Sequence, residues 1–502
     1  MKALAILALT LIATAQQRNA GELRILLLDS TGAPIQADAI LTSQTADLRR
    51  HFTTGPDGRH ILRILPFGIY NLQASKPGLQ PQETTIHITS EHPQDLTLTL
   101  PPAPIRPAVI IRDTAALVDP TRTGAAQHIG RDTIDHRRSS TPGRDVLDLI
   151  NLEPGWLLEA NGILHPRGSE YQVQYVIDGI PITDNRSPAF AQSLGVEEFE
   201  SMNIRTGNYP AEYGRKLGGV IEVSTERDRR QGLHGRAVLQ AGSFHTRSGY
   251  ASLQYATNRT TIGISGEGMQ TNRYLDAPVE ENYTNHASGG GIAARFDLDA
   301  TDNNRTRAYI VRRRTGYQVP NELLQQQAGQ RQDRTAEETM GHISHQHVFS
   351  PTLLGNLRLM ARDTRAGLWS NPLSTPIAPF QNRGFRETYL NGSVSGTIGR
   401  HEWKTGAEAV FARVEEDFTY RITAYRLNPG NVRIFDREVP PTFHFAAANT
   451  NREQAAFLQD RWRHGNWTLS AGLRYDRYNL IAEADAWSPR LAIAYHVAPA
   501  GL

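Results

Sequence analysis

The residues in this sequence best suited to chemistry are its histidines, because imidazole nitrogens bind zinc and related metals. An exported zinc hydrolase typically carries His-x-x-Glu, which brings two ligands to one ion while a distant histidine supplies the third. None of the 17 histidines has glutamate three residues later. The densest group is His342, His345 and His347, of which only His345 and His347 share a strand face. The pattern favours surface or turn histidines, and we predict no metal site and no cofactor.

Other catalytic chemistry has no better basis in the sequence. The chain contains no cysteine, which excludes thiol catalysis and disulfide scaffolds, and the nucleophile-elbow pattern Gly-x-Ser-x-Gly does not occur. The glycine-rich segments 263–268 and 288–291 lack the Lys-Ser/Thr ending of a phosphate-binding loop. We therefore predict a protein that is not an enzyme. An exported zinc hydrolase is kept as the third and weakest interpretation.

Composition places the chain outside the cytoplasm without pointing to nucleic acid. Residues 1–15 have the basic start, short apolar run and small-residue ending of a secretory signal peptide. The 53 basic and 51 acidic residues nearly balance, so we predict no nucleic-acid partner. No later window approaches the 18 apolar residues of a membrane helix. Membrane strands are compatible with the mean hydropathy of −0.45, because their alternating pattern averages out.

Residues 21–100 predict a small antiparallel β domain. Alternating runs at 23–28 and 85–89 are separated by turn sequences at 31–34, 55–58 and 66–68. The Pro-Asp-Gly turn and the later Lys-Pro-Gly-Leu at 76–79 resemble the carboxypeptidase regulatory-like domain, which implies a transthyretin-like β-sandwich on a carbohydrate-binding-like fold. A spacer or accessory role is the simpler interpretation, since no cluster of exposed tryptophans suggests a sugar platform. Four prolines within 101–107 then predict a stiff linker.

Three glycine-rich β segments follow in a characteristic order. They are residues 175–182 (YVIDGIPI), 203–215 (NIRTGNYPAEYGR) and 218–225 (GVIEVST after Gly218), with PRGS ahead of them at 166–169. Each is a short β-branched strand beside glycines that permit positive φ or close backbone approach. In this order they resemble the second half of the plug domain of TonB-dependent outer-membrane receptors. We assign residues 108–227 to an α+β plug.

One helix is predicted within this region. Thr141 can cap it, Pro142 can occupy its first position, and the Pro-Gly pair at 154–155 can end it. Its apolar face would consist of Val146, Leu147 and Ile150.

The resemblance implies specific site residues. The residues expected to form the plug core and its gate are Arg167, Gly168, Asp178, Gly179, Glu212, Tyr213, Gly214, Arg215, Gly218 and Gly219. We expect Arg167 and Arg215 to pair with carboxylates inside a barrel, such as Asp297, Asp299 or Glu408. The candidate strand for contact with TonB is Ala108, Val109, Ile110 and Ile111.

From residue 232 to 502 the pattern becomes strands of about ten residues with alternating polarity. Apolar residues such as Ile292, Phe296 and Leu298 alternate with polar ones such as Arg295 and Asp297. Aromatic residues at the ends of apolar faces suggest the girdle of an antiparallel transmembrane β-barrel. They are Trp403, Phe411, Trp467, Tyr475 and Tyr495.

About twelve strands are expected after the plug, against about 22 in plugged transporters. The last residues, 499–502, are not an aromatic strand. We therefore expect an incomplete barrel, which is either a fragment of a longer frame or completed by another polypeptide.

The whole arrangement is similar to the Oar-like class of TonB-dependent receptors, and the overall fold is predicted to be mainly β. The resemblance implies an outer-membrane location, contact with outer-membrane lipid, and uptake energised by the TonB complex. The extracellular ligand is left open among oligosaccharide, peptide and metal chelate. The alternative is a non-transporting outer-membrane adhesin or scaffold.

Overall fold

The computed structural model describes most of the chain. The described residues are 20–103, 123–139, 141–159, 164–167, 173–182, 196–214, 218–225, 230–424, 426–427, 433–434, 441–479 and 483–497. The predicted signal peptide, Ala108–Ile111, Gly168 and Arg215 lie outside them.

Residues 20–103, here called the N-terminal domain, form a sandwich of two small sheets. The strands are β1 (Ala20–Asp29), β2 (Asp38–Ser43), β3 (Leu48–Thr53), β4 (Arg59–Pro66), β5 (Gly68–Ser75), β6 (Gln82–Ile88) and β7 (Pro93–Leu100). The sheet orders are β4-β1-β7 and β3-β2-β5-β6. The prediction of a purely antiparallel domain is wrong at one place, because β1 and β7 pair in parallel over eight residues. The connection from β1 to β7 runs through the whole second sheet, so the last strand returns in the direction of the first.

The described residues between 123 and 225, here called the central domain, combine short strands with two helices. They are β8 (Ala126–Gly130), α1 (Arg131–His136), α2 (Asp145–Asn151), β9 (Trp156–Leu158), β10 (Leu164–Pro166), β11 (Val173–Ile177), β12 (Ile180–Ile182), β13 (Phe199–Arg205) and β14 (Gly219–Thr225). Five of the strands form one mixed sheet, β12-β11-β14-β13-β8, and β9 pairs with β10.

Helix α2 confirms the predicted apolar face but not the predicted start. Val146 and Ile150 are buried, and Leu147 packs partly buried against the same core. The helix begins at Asp145 rather than Pro142. Gly143 has a positive φ of 79° and Arg144 has non-helical angles, so residues 141–144 form a turn that a proline-first helix cannot include.

The rest of the chain builds one large antiparallel sheet of twelve strands, as predicted, in the order β15 to β23 followed by β26 to β28. Its members are β15 (Gly232–Gly242), β16 (Thr246–Ala256), β17 (Thr260–Thr271), β18 (Ala287–Thr301), β19 (Asn304–Gln318), β20 (Gln332–Ser350), β21 (Leu353–Ser370), β22 (Ile377–Ile398), β23 (His401–Ile422), β26 (Thr442–His464), β27 (Trp467–Asn479) and β28 (Glu483–Tyr495). Three smaller elements lie in its loops, namely α3 (Leu323–Gln327), β24 (Arg426–Leu427) and β25 (Arg433–Ile434). Among the described residues, β15 and β28 each have a sheet neighbour on one side only.

The two faces of the large sheet differ as the alternation predicts. On β18, Ile292 and Phe296 are exposed on the outer face, while Asp297 and Asp299 are buried on the inner face. Of the aromatic residues predicted as a girdle, Phe411, Trp467 and Tyr495 are exposed, and Trp467 packs against Tyr495 with 4.6 Å between ring centroids. An apolar outer face and a polar inner face are the arrangement of a membrane barrel wall.

The two ends of the large sheet also differ. Connections such as 302–303, 399–400 and 465–466 are two-residue turns, whereas residues 272–286 and 319–331 form long connections at the opposite end. The N-terminal domain contacts the short-turn end, where Arg63 pairs with Asp299 at 2.7 Å. Short turns face the periplasm in outer-membrane barrels, so the long connections mark the extracellular end.

Within the described residues, every helix is too short and too polar to cross a lipid bilayer.

Candidate functional site

The central domain packs against the inner face of the large sheet. Ile129, Ile204 and Ile221 of the central domain belong to the same buried apolar cluster as Tyr309 and Met360 of the sheet. Charged residues surround this shared core and are buried with it. The contact between the central domain and the inner face of the sheet is therefore the candidate functional site.

Glu198 attaches the central domain to strands β17 and β19. Its carboxylate accepts hydrogen bonds from the Tyr309 hydroxyl at 2.7 Å and from the Arg313 guanidinium at 3.2 Å. It also accepts a bond from the Ser265 hydroxyl. Arg313 reaches Glu267 at 3.3 Å as well. A buried carboxylate with several donors is held far more firmly than an exposed ion pair.

Arg474 on β27 forms a second attachment. Its guanidinium is fully buried and donates to the carbonyl oxygen of Glu212 at 2.6 Å, while it pairs with Glu408 and Asp476 on the sheet. Glycine is required at position 214, because a Cβ there would collide with the Arg474 side chain. The glycine lets the central-domain backbone approach a buried arginine.

The predicted turn at Asp178 and Gly179 also brings the central-domain backbone close to an arginine of the sheet. Both residues have positive φ, 50° and 82°. The Asp178 carboxylate accepts bonds from the backbone and hydroxyl of Thr225, 3.2 and 2.7 Å away, which ties the turn to the end of β14. A side chain on Gly179 would come within 3.0 Å of the Arg358 guanidinium on β21.

Glu212 and Tyr213 are both buried in the central domain. The Tyr213 hydroxyl donates to Glu222, which also accepts a bond from Asn203 at 2.8 Å and pairs with Arg205 at 3.3 Å. Burial raises the pKa of the Tyr213 hydroxyl well above its ordinary value, so the phenol keeps its proton. Gly218 directly precedes β14, and Gly219 lies under the Trp156 ring.

Lys404 on β23 bridges three parts of the molecule. Its ammonium lies 3.2 Å from the Glu212 carboxylate of the central domain and 3.3 Å from the Glu91 carboxylate of the N-terminal domain. Burial raises the pKa of Glu91 to about 7, and the Lys404 charge only partly offsets this. The pKa of Glu212 is raised by burial as well.

The expected pairing of Arg167 with a barrel carboxylate is wrong. The Arg167 guanidinium donates to the Thr206 hydroxyl at 3.2 Å, within the central domain. Asp299 pairs with Arg63 of the N-terminal domain, and Glu408 with Arg474. Asp297 pairs with Arg307 of the neighbouring strand. In the attachments at Glu198, Arg474 and Lys404 the sheet supplies the cation and the central domain supplies the oxygen, which is the reverse of the expected polarity. One contact has the expected direction, since Arg144 of the central domain donates to the Tyr274 carbonyl at 3.1 Å.

Sequence reasoning missed Glu198, Lys404 and Arg474 as attachment residues. The structure places Lys404 and Arg474 on the buried inner face of β23 and β27, which an alternating pattern could have indicated. Nothing in that pattern names the acceptor that each side chain meets.

A second cluster lies on the inner face near the extracellular end, where β22, β23 and β26 are longest. These strands have 22 or 23 residues. At about 3.3 Å per residue and a tilt near 45°, they extend about 20 Å beyond a hydrocarbon core about 30 Å thick. The cluster, here called the aromatic patch, comprises Arg383, Phe418, Tyr420, Phe443 and Phe445.

The aromatic patch is joined by ring contacts. The Arg383 guanidinium lies 4.6 Å from the Phe418 ring centroid, and Phe418 lies 6.1 Å from Phe445. Tyr420 lies 6.4 Å from Phe443 and accepts a hydrogen bond from Gln381 at 2.8 Å. Phe443 is 54% exposed and Phe445 41% exposed, so their ring faces are open to a ligand.

The histidines that suggested a metal site have separate partners. His345 bonds to the Thr306 hydroxyl, His347 to the Asn304 amide oxygen, and His342 packs beside Tyr309. Within the part of the chain that the structure describes, no three His, Asp or Glu residues are placed to hold one metal ion.

Comparison with known proteins identifies the large sheet. The family described as TonB dependent receptor-like, beta-barrel matches residues 249–501, half of the chain. The chain belongs to this family. Its members are β-barrel proteins of the outer membrane, and the protein is located there. Residues 23–101 match the carboxypeptidase regulatory-like domain, as the turn sequences predicted.

Individual relatives agree with this assignment. The TonB-dependent transporter Oar of Myxococcus xanthus is 26% identical over 208 residues, which is 40% of this chain and 20% of Oar. The structure of the ferric citrate transporter FecA superposes with a TM-score of 0.58 at 14% identity, covering 76% of this chain and 61% of FecA. The siderophore receptor PirA from Acinetobacter baumannii gives 0.57 at 16% identity, covering 75% and 59%. The chain thus spans about three fifths of the solved receptors it matches, and the structural similarity shows the fold.

Proposed function

We propose that the protein is a receptor for TonB-dependent, energised uptake of an extracellular ligand, with residues 108–227 as its plug. The observation that carries the proposal is the packing of the central domain on the polar inner face of the large sheet. That domain shares its apolar core with the sheet and is attached through Glu198, Glu212 and the backbone near Gly214. A domain held in this position blocks diffusion through a barrel, so transport requires a change in its attachment.

The plug residues keep the roles that the resemblance implies, with one change. We propose that Asp178, Gly179, Glu212, Tyr213, Gly214, Gly218 and Gly219 form the structural core of the plug and its gate. Arg167 is assigned to the internal structure of the plug instead of a lock against the barrel. In this proposal, residues 21–100 form an accessory domain and residues 232–502 form the barrel wall. Gly168, Arg215 and the TonB-contact strand Ala108–Ile111 stay predictions from the sequence.

We propose that the ligand binds at the aromatic patch. Ring faces bind flat or apolar surfaces of a ligand, and Arg383 supplies a positive charge for an anionic group. An anionic metal chelate matches this combination better than a neutral oligosaccharide. The siderophore receptors among the structural neighbours support the same class.

Uptake measurements test the proposal. Cells that produce the protein are given radiolabelled ferric chelates, oligosaccharides and peptides, with and without a functional TonB complex. We expect TonB-dependent accumulation of a ferric chelate. Surface binding without TonB-dependent accumulation of any of these compounds would contradict transport and would favour the adhesin or scaffold.

Deleting residues 108–113 tests the proposed TonB-contact strand. We expect the deletion to abolish energised uptake and to leave surface binding of the same chelate intact, because the family resemblance implies contact with TonB on the periplasmic side, whereas the aromatic patch lies near the extracellular end. The matched variant Phe418→Ala with Phe445→Ala should have the opposite effect and weaken binding. Unchanged uptake in the deletion variant would place the contact with TonB elsewhere.

A further inference from the structure

The N-terminal domain is fastened to the short-turn end of the large sheet by several contacts. Arg461 donates to the Thr89 carbonyl at 2.6 Å, and Arg24 donates to the Asp302 carbonyl at 3.2 Å. Arg63 pairs with Asp299 at 2.7 Å. The contact at Lys404 differs from these three, because the same ammonium also binds the central domain.

The Lys404 ammonium lies between two carboxylates that belong to different domains. The side chains of Glu91 and Lys404 are each 3% exposed, and that of Glu212 is fully buried. Both carboxylates lie within 3.3 Å of the Lys404 ammonium. Two carboxylates that share one ammonium are each held less favourably than one carboxylate paired with it alone, because they repel each other and divide its attraction. Arg358 and Arg205 also attract Glu91 and Glu212, respectively.

We propose that the N-terminal domain opposes the seating of the plug: when it docks, Glu91 takes part of the Lys404 charge from Glu212 and prepares the plug for displacement. The proposal rests on the proposed function, since it takes the central domain to be the plug. It assigns a task to a domain that otherwise has only an accessory role. When the plug leaves, Lys404 belongs to Glu91 alone and docking becomes stronger. Docking and seating are therefore negatively coupled, and the coupling acts equally in both directions.

Protonation of Glu91 relieves this competition. The pKa of Glu91 is raised to about 7, mainly by burial. The Glu212 charge also acts to raise it, and the Lys404 and Arg358 charges act to lower it. His92, Glu402 and Arg461 line the same cavity of about 140 Å³ beside Glu91. Because the pKa lies above the ordinary 4.5, the contribution of Glu91 to the stability of the docked and seated arrangement is greatest below pH 4.5. That contribution is lost as the pH rises to about 7.

Hydrogen exchange of the full chain in detergent tests the coupling without ligand or TonB. Amides of β13 and β14 report the plug, and those of residues 89–92 report docking. At pH 8, we expect Glu91→Gln to slow exchange in β13 and β14 by about tenfold, because Glu212 then has Lys404 to itself. Glu212→Gln should slow exchange at 89–92, although Glu212 belongs to the central domain. Lys404→Met should accelerate exchange in both sets.

The matched control is Glu198→Gln, which weakens a plug attachment that does not involve Lys404. It should accelerate exchange in β13 and β14 and leave residues 89–92 unchanged. At pH 5.5, with intrinsic rates corrected, β13 and β14 of the unmodified protein should exchange more slowly than at pH 8. Glu91→Gln should remove that difference.

If Glu91→Gln accelerates exchange both in β13 and β14 and at residues 89–92, the N-terminal domain holds the plug in place. If the exchange rates do not change, Lys404 does not couple docking of the N-terminal domain to seating of the plug. Either result overturns the inference. Failure of TonB-dependent uptake would instead contradict the proposed function, so the two failures are distinguishable.

Discussion

The N-terminal and central domains are both small β-rich units, yet they are stabilised in different ways. The core of the N-terminal domain consists of its own residues, including Leu23, Leu41 and Leu72, all completely buried. The core of the central domain includes Tyr309, Met360 and Tyr389 of the large sheet. The apolar core of the N-terminal domain is formed by that domain alone, whereas the core of the central domain is complete only with residues of the large sheet.

We expect this difference to affect how stable each domain is on its own. A domain with a complete core unfolds as a unit, whereas a domain that borrows apolar surface loses stability as soon as it separates from its partner. Buried ion pairs add to this dependence, because a partner left behind in a dry site is costly. We therefore expect the central domain to be stable when it is packed on the sheet and unstable when it is separated from it.

The largest effect is expected from separating the two domains. Residues 20–103 produced alone should fold and unfold cooperatively in urea, since all of their core residues are present. Residues 123–225 produced alone should lack a cooperative transition and should bind a hydrophobic dye. Circular dichroism with urea titration measures both fragments. Cooperative folding of the second fragment would remove the contrast.

The next effect is expected at Arg474. Arg474→Ala leaves Glu408, Asp476 and the Glu212 carbonyl without their shared donor in a buried site. The loss should be about 3–5 kcal/mol in the opening free energy of the central domain, measured by hydrogen exchange in β13 and β14. Arg365→Ala is the control, because Arg365 is 63% exposed in its pair with Asp363. That variant should cost less than about 1 kcal/mol.

A separate pH effect is expected at His60, a partly buried residue of the N-terminal domain. Burial, with help from Arg63, lowers the pKa of His60 from 6.5 to about 4. The unfolded chain therefore binds more protons between pH 6.5 and 4, and stability falls as the pH falls through that range. The loss should be about 3 kcal/mol in urea unfolding of residues 20–103. His60→Phe should remove it, whereas a substitution at the exposed His51, such as His51→Gln, should not.

The smallest effect is expected at one hydroxyl. Tyr309→Phe removes one donor to Glu198 but leaves Arg313 and Ser265 in contact with it. Central-domain opening should become easier by about 2 kcal/mol. Tyr389→Phe is matched to it, because that hydroxyl donates to Glu408 within the sheet at 2.8 Å. Equal exchange rates in the two variants would show that the Glu198 bond does not hold the central domain.

The sequence predicts those parts of the fold that depend on neighbours along the chain. Strand alternation predicted the twelve strands and their two faces, because side chains alternate with a period of two in every strand. The glycine turn expected after the strand at 175–177 is likewise local, and Asp178 and Gly179 have positive φ there. The start of α2 was misplaced because the sequence around Pro142 suits a helix equally well, and only the positive φ of Gly143 decides against it.

Partners across the molecule could not be predicted in this way. Lys404 and Glu91 are separated by 313 positions, and Arg474 meets a backbone carbonyl that carries no side-chain pattern. Arg167 has the residue type of an attachment but faces Thr206. Which charge meets which depends on the placement of three units in space, and local spacing contains no information on that placement.

The parallel pairing of β1 and β7 gives the chain a mechanical asymmetry. Tension on the segment between Leu100 and Ala126 loads β7 on one side and β8 on the other. β7 is joined to β1 over eight parallel pairs, which must slide together under shear. β8 is joined to β13 over only five antiparallel pairs, and both β7 and β8 are edge strands of their sheets. We therefore expect the same tension to detach β8 from the central domain before it detaches β7 from the N-terminal domain, because β8 has fewer paired residues.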